Sequence, residues 1–216
     1  GDHCYATPFL LERNGKTSIL VWGAEHLTAH DPQDGHILWS CGGFNPDGNA
    51  NWVAVASAVV SGDRAIVPYG RGARVTAVKL DGTGDVTATH REWTRNDVSA
   101  FVPSPVIDDG KLYFVRDAGE VECLDPATGK TLWSDRFPKN RNKFYSSPLI
   151  AGGRLYAARE DGVVFVADVR SGFKLLSEND LGERTIASPV PLSGGQLLLR
   201  GEEHLWCIGA NRNAPR

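Results

Sequence analysis

Apolar residues along this chain come in short runs, four to a group, and the groups recur. Over 145–177 the runs are SPLIA, RLYAA, VVFVADV and FKLLS. Between them stand Gly152-Gly153, Glu160-Asp161-Gly162 and Arg170-Ser171-Gly172. Leu, Val, Tyr and Phe dominate the runs and suit a pleated, half-buried surface. Gly, Asp and Ser dominate the gaps and suit tight reversals. The pattern predicts short antiparallel strands joined by hairpins. No segment keeps a 3.6-residue apolar period over ten or more residues, so little helix is expected.

The groups are copies of one another. VPSPVIDDGKLYFVRDAGEVECLDPATGKTLW (102–133) is followed by YSSPLIAGGRLYAAREDGVVFVADVRSGFKLL (145–176) and a shortened IASPVPLSGGQLLLRGEEHLWCIG (186–209). Weaker copies lie at 6–39 and, with a longer middle, at 56–93. The late turn glycines Gly35, Gly84, Gly129 and Gly172 are spaced by 49, 45 and 43 residues. That period matches a four-stranded propeller blade. Such a unit cannot bury its own apolar face and must stack on its neighbours. The chain therefore reads as one all-β domain over 1–216, a β-propeller of four-stranded antiparallel blades. Four full blades are expected near 5–41, 53–95, 101–137 and 144–180, with an incomplete fifth near 185–210. Asp31–Gly35 and Asp125–Gly129 read as Pro-initiated turns. Ser104, Ser147 and Ser188 recur before prolines and are read as backbone-binding residues that open the innermost strand.

Composition narrows the picture. The 216 residues are 41% hydrophobic, enough for one core array, and carry a formal charge of −3. No basic bias points to nucleic acid. Apolar runs are strand-sized and none is long enough to span a membrane. No signal peptide is evident. There is no methionine, and the last copy lacks its fourth run. The expectation is a ring completed by blades from upstream sequence or a second chain; a self-contained five-bladed ring is the alternative. Cys123 and Cys207 share a repeat column with Ala29, Ala77 and Val166, so both are expected to be core thiols. Cys4 and Cys41 bracket the first blade and could form a disulfide in a secreted protein.

Most candidate chemistry dissolves into turn construction. Asp31, Asp34, Asp81, Asp109, Asp125 and Asp161 sit in reversals, where carboxylates bind local backbone. Asn45–Asn51 looks like a calcium loop but has Ala56 where the closing Glu belongs. His26 and His30 share a strand face without a third ligand. No G-x-S-x-G occurs, and the glycine pairs lack a strand–helix setting. No catalytic residue and no metal ligand is assigned. What does not repeat is the basic connection Arg136–Tyr145. It is expected on the same face as the loops that carry Arg71, Arg116 and Arg159. Arg71, Arg116, Lys139, Arg141, Asn142, Tyr145 and Arg159 are thus the candidate binding set, near the mouth of the channel, for an anionic, glycan or peptide partner. A solvated loop, partly neutralised by Asp117 and Glu160, is the competing reading.

GKLYFVRDAGEVECLDPATGKTLW and GRLYAAREDGVVFVADVRSG resemble the pyrroloquinoline-quinone (PQQ)-type repeat. The closing NDLGERTIASP…HLWCIG resembles the C-terminal end of PQQ-like propeller proteins of planctomycete-type bacteria. The resemblance implies an exported, secreted or periplasmic β-propeller. The family includes quinoprotein dehydrogenases and a lipoprotein of the outer-membrane barrel assembly machinery, and many members bind no quinone. It also implies that Trp39, Trp93 and Trp133 pack between blades, with Leu176 departing from that position. The Cys-Cys pair carried by many of the dehydrogenases is absent. The expected function is a non-catalytic scaffold that binds a protein or glycan partner and needs no cofactor. The alternative is a fragment of a PQQ-dependent dehydrogenase, which would use PQQ with calcium.

Overall fold

The computed structural model describes residues 3–23, 25–72 and 74–209. The expected end of the fifth blade at 210 lies outside them. Among the described residues there are strands and turns and no helix. The first sheet comprises β1 (Phe9–Arg13), β2 (Lys16–Gly23), β3 (His26–His30) and β4 (Ile37–Cys41). The second holds β5 (Val59–Ser61), β6 (Arg64–Tyr69), β7 (Arg74–Lys79) and β9 (Arg91–Arg95), with β8 (Gly84–Asp85) inserted between the last two. The third is β10 (Val106–Asp108), β11 (Lys111–Val115), β12 (Glu120–Leu124) and β13 (Thr131–Arg136). The fourth is β14 (Leu149–Ala151), β15 (Arg154–Ala158), β16 (Val163–Asp168) and β17 (Lys174–Asp180). The fifth has three strands, β18 (Val190–Leu192), β19 (Gln196–Arg200) and β20 (Leu205–Ile208). Every blade is an antiparallel meander, so the chain is a β-propeller array.

The long second copy departs from the meander. Its extra residues form β8, which leaves the second sheet and pairs in parallel with β4, Trp39 opposite Gly84 and Ser40 opposite Asp85. The insertion thus straps blade two to blade one.

Burial follows the blade junctions. One apolar cluster joins blades one and two around Leu20, Trp22, Val67 and Val78. A second joins two and three around Ile66, Val75, Leu112 and Phe114. A third joins three and four around Tyr113, Phe137, Phe144 and Phe165. The last, smaller, joins four and five around Val164 and Leu199. Blades two to four each show one apolar set to the blade before and the alternate set to the blade after, as a two-residue side-chain period requires. Among the described residues the sheets do not close into a ring.

The serines tie the inner strands together. Thr7 N–H donates to Ser57 Oγ, Ser57 to Ser104, Ser104 to Ser147 and Ser147 to Ser188, each at 2.9 Å. Five blades are thereby linked by four bonds. A repeated bulge sets the outer strand. The register slips at Ala29/His30, Ala77/Val78, Cys123/Leu124 and Val166/Ala167. It places Trp39 opposite Ala29, Trp93 opposite Ala77 and Trp133 opposite Cys123. In blade four the residue opposite Val166 is Ser177. The departure from tryptophan is therefore at Ser177, and Leu176 occupies the skipped position of the bulge.

Trp93 meets the turn of the next blade. Trp93 Nε1 donates to Pro126 O at 3.1 Å. Gly129, with φ +70°, lies so close beneath that ring that a Cβ would come within 2.7 Å of it. The Asp125 carboxylate holds this turn by accepting Ala127 N–H at 2.9 Å and the Thr128 hydroxyl at 2.7 Å.

Two cysteine expectations change. Cys4 and Cys41 are free thiols. Cys4 bridges Ala54, and its Sγ donates to Trp22 O at 3.1 Å, while Cys41 is buried at the end of β4, where burial raises its pKa to about 11. Residues 3–5 therefore line the connection between blades one and two. Cys123 is buried as expected, but Cys207 is exposed because no sheet lies beyond blade five among the described residues.

Candidate functional site

The 137–145 connection is held at both ends. Phe137 and Phe144 are buried, their rings 5.3 Å apart, and both pack on Phe165. Phe137 N–H donates to Gly119 O at 2.9 Å, and Phe144 N–H to Asp117 O at 3.0 Å. Lys143 N–H donates to Glu160 Oε1 at 2.7 Å, and Glu160 N–H returns a bond to Lys143 O at 2.9 Å. Asn142 Nδ2 donates to Asp161 Oδ2 at 3.0 Å. The connection thus lies against the 116–119 and 159–162 loops on one face of the array. Lys139, Arg141 and Tyr145 are exposed on it. A loop fixed by two buried rings and several backbone bonds presents its side chains with little ordering cost left to meet on binding.

The three arginines from the neighbouring loops have other engagements. Arg159 is 5% exposed; it forms a two-pronged pair with Asp161 at 2.8 and 2.9 Å and lies 4.9 Å over the Phe165 ring. Its charge is taken up by that pair and holds the loop in shape. Arg116 reaches Asp97 O at 3.4 Å and Glu122 Oε1 at 3.8 Å. Arg71 stacks 4.4 Å over Phe101 and donates to Asn51 O at 3.4 Å. Neither loop carboxylate acts as the counter-ion anticipated. Asp117 accepts Phe101 and Val102 N–H, and Glu160 accepts Lys143 N–H.

Sequence reasoning missed the hollow beside the connection. A cavity of about 500 Å³ is lined by Asn142, Glu160, Asp161, Asp180, Glu183 and Arg184 among others. Burial pushes the Asp161 carboxyl up, but hydrogen bonds from Arg159 and Asn142 outweigh it and hold it below the usual range. Burial acts likewise on Glu183, and the His204 and Glu203 N–H groups pull it below. Both carry charge at neutral pH. The face is therefore two-signed: exposed cations on the connection, carboxylates in the hollow. The only signal in the sequence was Asp180 and Glu183 in the following connection, whose approach to Glu160 is a tertiary fact. A second hollow, about 780 Å³, opens at the β1–β2 turn on the opposite face, with Leu38, Trp39 and Leu80 within and Arg13, Lys16 and Asp81 around it. Its wall includes the inserted 81–83 stretch.

The remaining candidates are structural. His30 bonds Thr28 Oγ1 at 2.8 Å and Gly35 O at 3.0 Å through its two ring nitrogens. Asn45 Oδ1 accepts Asn49 N–H at 2.9 Å, and Asn49 Oδ1 accepts Asn51 N–H at 3.0 Å, so that segment is a self-bonded turn.

The stacked four-stranded blades define a β-propeller, in which the loop connections carry the exposed side chains. Residues 83–204 match the family model described as outer membrane protein assembly factor BamB, and the chain belongs to this family of PQQ-like repeat β-propellers. A comparison with curated protein sequences finds no match. Among solved structures the chain is similar to BamB from Moraxella catarrhalis, with 16% identity and TM-score 0.62 over 96% of this chain and 65% of that one. It is also similar to the WD40 β-propeller domain of Doa1, with 17% identity and TM-score 0.65 over 94% and 63%. The computationally designed Ika8 protein matches at 12% identity and TM-score 0.65 over 92% and 57%. These likenesses concern the fold. The chain spans less than two thirds of each of these structures.

The family name raises the question of quinone and calcium. A calcium-bound quinone needs a cluster of oxygen ligands and a planar stacking surface. The Asp117, Glu160 and Asp161 carboxylates are already committed to backbone N–H groups or to Arg159, and the named lining of the acidic hollow has no aromatic ring. No group of three or more His, Cys, Asp or Glu side chains among the described residues is arranged to hold a metal ion. The residues present do not fit the group.

Proposed function

We propose that this chain is a non-catalytic β-propeller scaffold that binds a protein partner through the face carrying the 137–145 connection. The observation that supports this reading is the anchoring of that connection by Phe137 and Phe144, with Lys139, Arg141 and Tyr145 left exposed on it. Arg and Tyr are the side chains that dominate protein recognition sites, and a preformed loop favours their use. The partner segment is acidic where it meets Lys139 and Arg141, and it carries a basic residue where it meets the Glu160–Glu183 hollow. Opposite charges in this order fix orientation as well as attraction. The setting that goes with this reading is the periplasm or the cell exterior. No helix is long and apolar enough to cross a membrane among the described residues.

The test is a titration with a fluorescein-labelled peptide of several glutamates followed by one lysine. Saturable binding that weakens about tenfold in Arg141→Ala/Tyr145→Ala supports the reading, that factor being the loss of about 1.4 kcal/mol. Equal affinity for wild type and variant removes this face from the account.

A further inference from the structure

Of the first four blades, only blade one sets two cations directly opposite each other at its first hairpin. The pairs that close this hairpin are Arg13 with Lys16, Ser61 with Arg64, Asp108 with Lys111 and Ala151 with Arg154. Like charges directly opposite on a sheet repel. Neither Arg13 nor Lys16 is ion-paired among the described residues. Glu12 pairs with Thr17 one position back and so lies on the other face of the hairpin. Leu11 and Arg13 share the face turned to blade two, and both line the hollow of about 780 Å³ at that junction. Asp31 and Asp81 border it too but are engaged locally. Asp31 accepts Gln33 N–H at 2.8 Å, and Asp81 lies 3.3 Å from His90 Nε2.

The inserted stretch opens this hollow. At the next junction Gly129 lies against the Trp93 ring, and Trp93 Nε1 donates to Pro126 O at 3.1 Å. The matching turn glycine at the first junction is Gly84. It has been carried to the β4 edge by the insertion, and no heavy atom lies within 4 Å of a Cβ added there. Trp39 is thus left without that cap. It is 4% exposed, it borders the hollow, and its indole N–H has no hydrogen-bond partner among the described residues. The β3–β4 bulge skips Leu38, so Leu38 lines the hollow beside Trp39, together with Leu11 and Leu80. At the same end of the junction between blades three and four, where the hairpin pair is Asp108 with Lys111, the space is only about 210 Å³.

We propose that this cleft binds a small amphipathic carboxylate. Its carboxylate lies between Arg13 and Lys16 and relieves their repulsion. Its apolar body lies against Leu11, Leu38 and Leu80, and the Trp39 N–H offers a donor to a polar atom on that body. The volume is that of a small-molecule site, and an apolar wall with a few placed polar groups is how such sites select. An acidic peptide brings charge without the apolar body, so this ligand differs from the partner of the 137–145 face. Neither reading depends on the other.

The probe is 11-(dansylamino)undecanoate, whose emission rises and shifts to the blue in an apolar site. Saturable binding is expected, with octanoate displacing the probe at least about tenfold better than octanamide, which keeps the body and lacks the charge. Arg13→Gln/Lys16→Gln is expected to weaken probe binding about tenfold, and Leu38→Gln, which puts an amide into the apolar wall, by a similar factor. Octanoate is expected to slow hydrogen exchange of the 81–83 amides. Absence of saturable binding to the wild-type protein overturns the proposal. So does equal displacement by octanoate and octanamide, or unchanged probe affinity in either folded variant. The octanoate–octanamide comparison uses the wild-type protein alone, so it decides even where a variant fails to fold.

Discussion

Ser147 shows how much a single side chain does in a repeated fold. Its hydroxyl accepts Ser104 N–H, and its own N–H donates to the Ser188 hydroxyl. Ser147→Ala leaves a half-buried N–H without its acceptor and is expected to cost about 1–2 kcal/mol in urea unfolding. Ser188→Ala strips an exposed bond that water replaces and is expected to cost under about 0.5 kcal/mol. Glu122 is the residue most at odds with its place. It is 9% exposed at the junction of blades two and three, where its column holds Thr76 and Phe165 in the neighbouring blades, and its Oε2 has no hydrogen-bond partner in the protein. Burial raises its pKa, against the pull of Arg116 and Arg95. Its proton is therefore held more tightly folded than unfolded. The stability this contributes is full below the usual glutamate range and is lost as pH rises through the raised value. Glu122→Gln is expected to melt higher than wild type at pH 8 and no differently at pH 4, read by thermal scans. The recurring serines were legible from their prolines, but Ser57, followed by Ala58, and Thr7 were not. Nor was the fate of Arg159, because its pair with Asp161 two residues on reads as an ordinary charged turn until the fold buries it.

At the scale of elements, the bulge between the third and fourth strands matters most. It was invisible in the sequence because one skipped residue changes no composition, and so the alignment put Leu176 rather than Ser177 in the tryptophan column. The strands themselves were legible, since their apolar runs and Gly-rich gaps come from side-chain burial and turn geometry alone. The inserted β8 could be seen only as extra length; its pairing to β4 across a blade boundary is a long-range contact. Turn glycines that look alike in sequence differ in what surrounds them. Gly35 has φ +78° with open space around it, whereas Gly129 has φ +70° with the Trp93 ring at 2.7 Å from an added Cβ. Gly35→Ala is expected to cost about 1 kcal/mol from the backbone alone. Gly129→Ala is expected to cost at least about 2 kcal/mol, with quenching or shift of tryptophan fluorescence that Gly35→Ala does not produce. Phe137→Ala empties the most enclosed ring under the connection and is expected to cost about 3–5 kcal/mol.

The described residues form an array of blades whose repeated tryptophans, serines and turn glycines serve stacking, and the recognition proposed above falls to segments that do not repeat. The propeller class was legible because a repeated unit forces a stacked solution. The proposed binding face was half legible. Lys139, Arg141 and Tyr145 stand together in the basic connection, but the carboxylates that make the face two-signed come from a loop of blade four and from the end of β17 and the connection after it. The central claim is that partner recognition belongs to this face and not to the opposite one, where Arg13 and Lys16 border the other hollow. The direct test compares Lys139→Ala/Arg141→Ala/Tyr145→Ala with Arg13→Ala/Lys16→Ala in the same acidic-peptide titration at low and physiological salt. The first variant is expected to lose binding at least about tenfold and to lose its salt dependence, while the second keeps both. Equal loss in the two variants, or loss in the second alone, would contradict it.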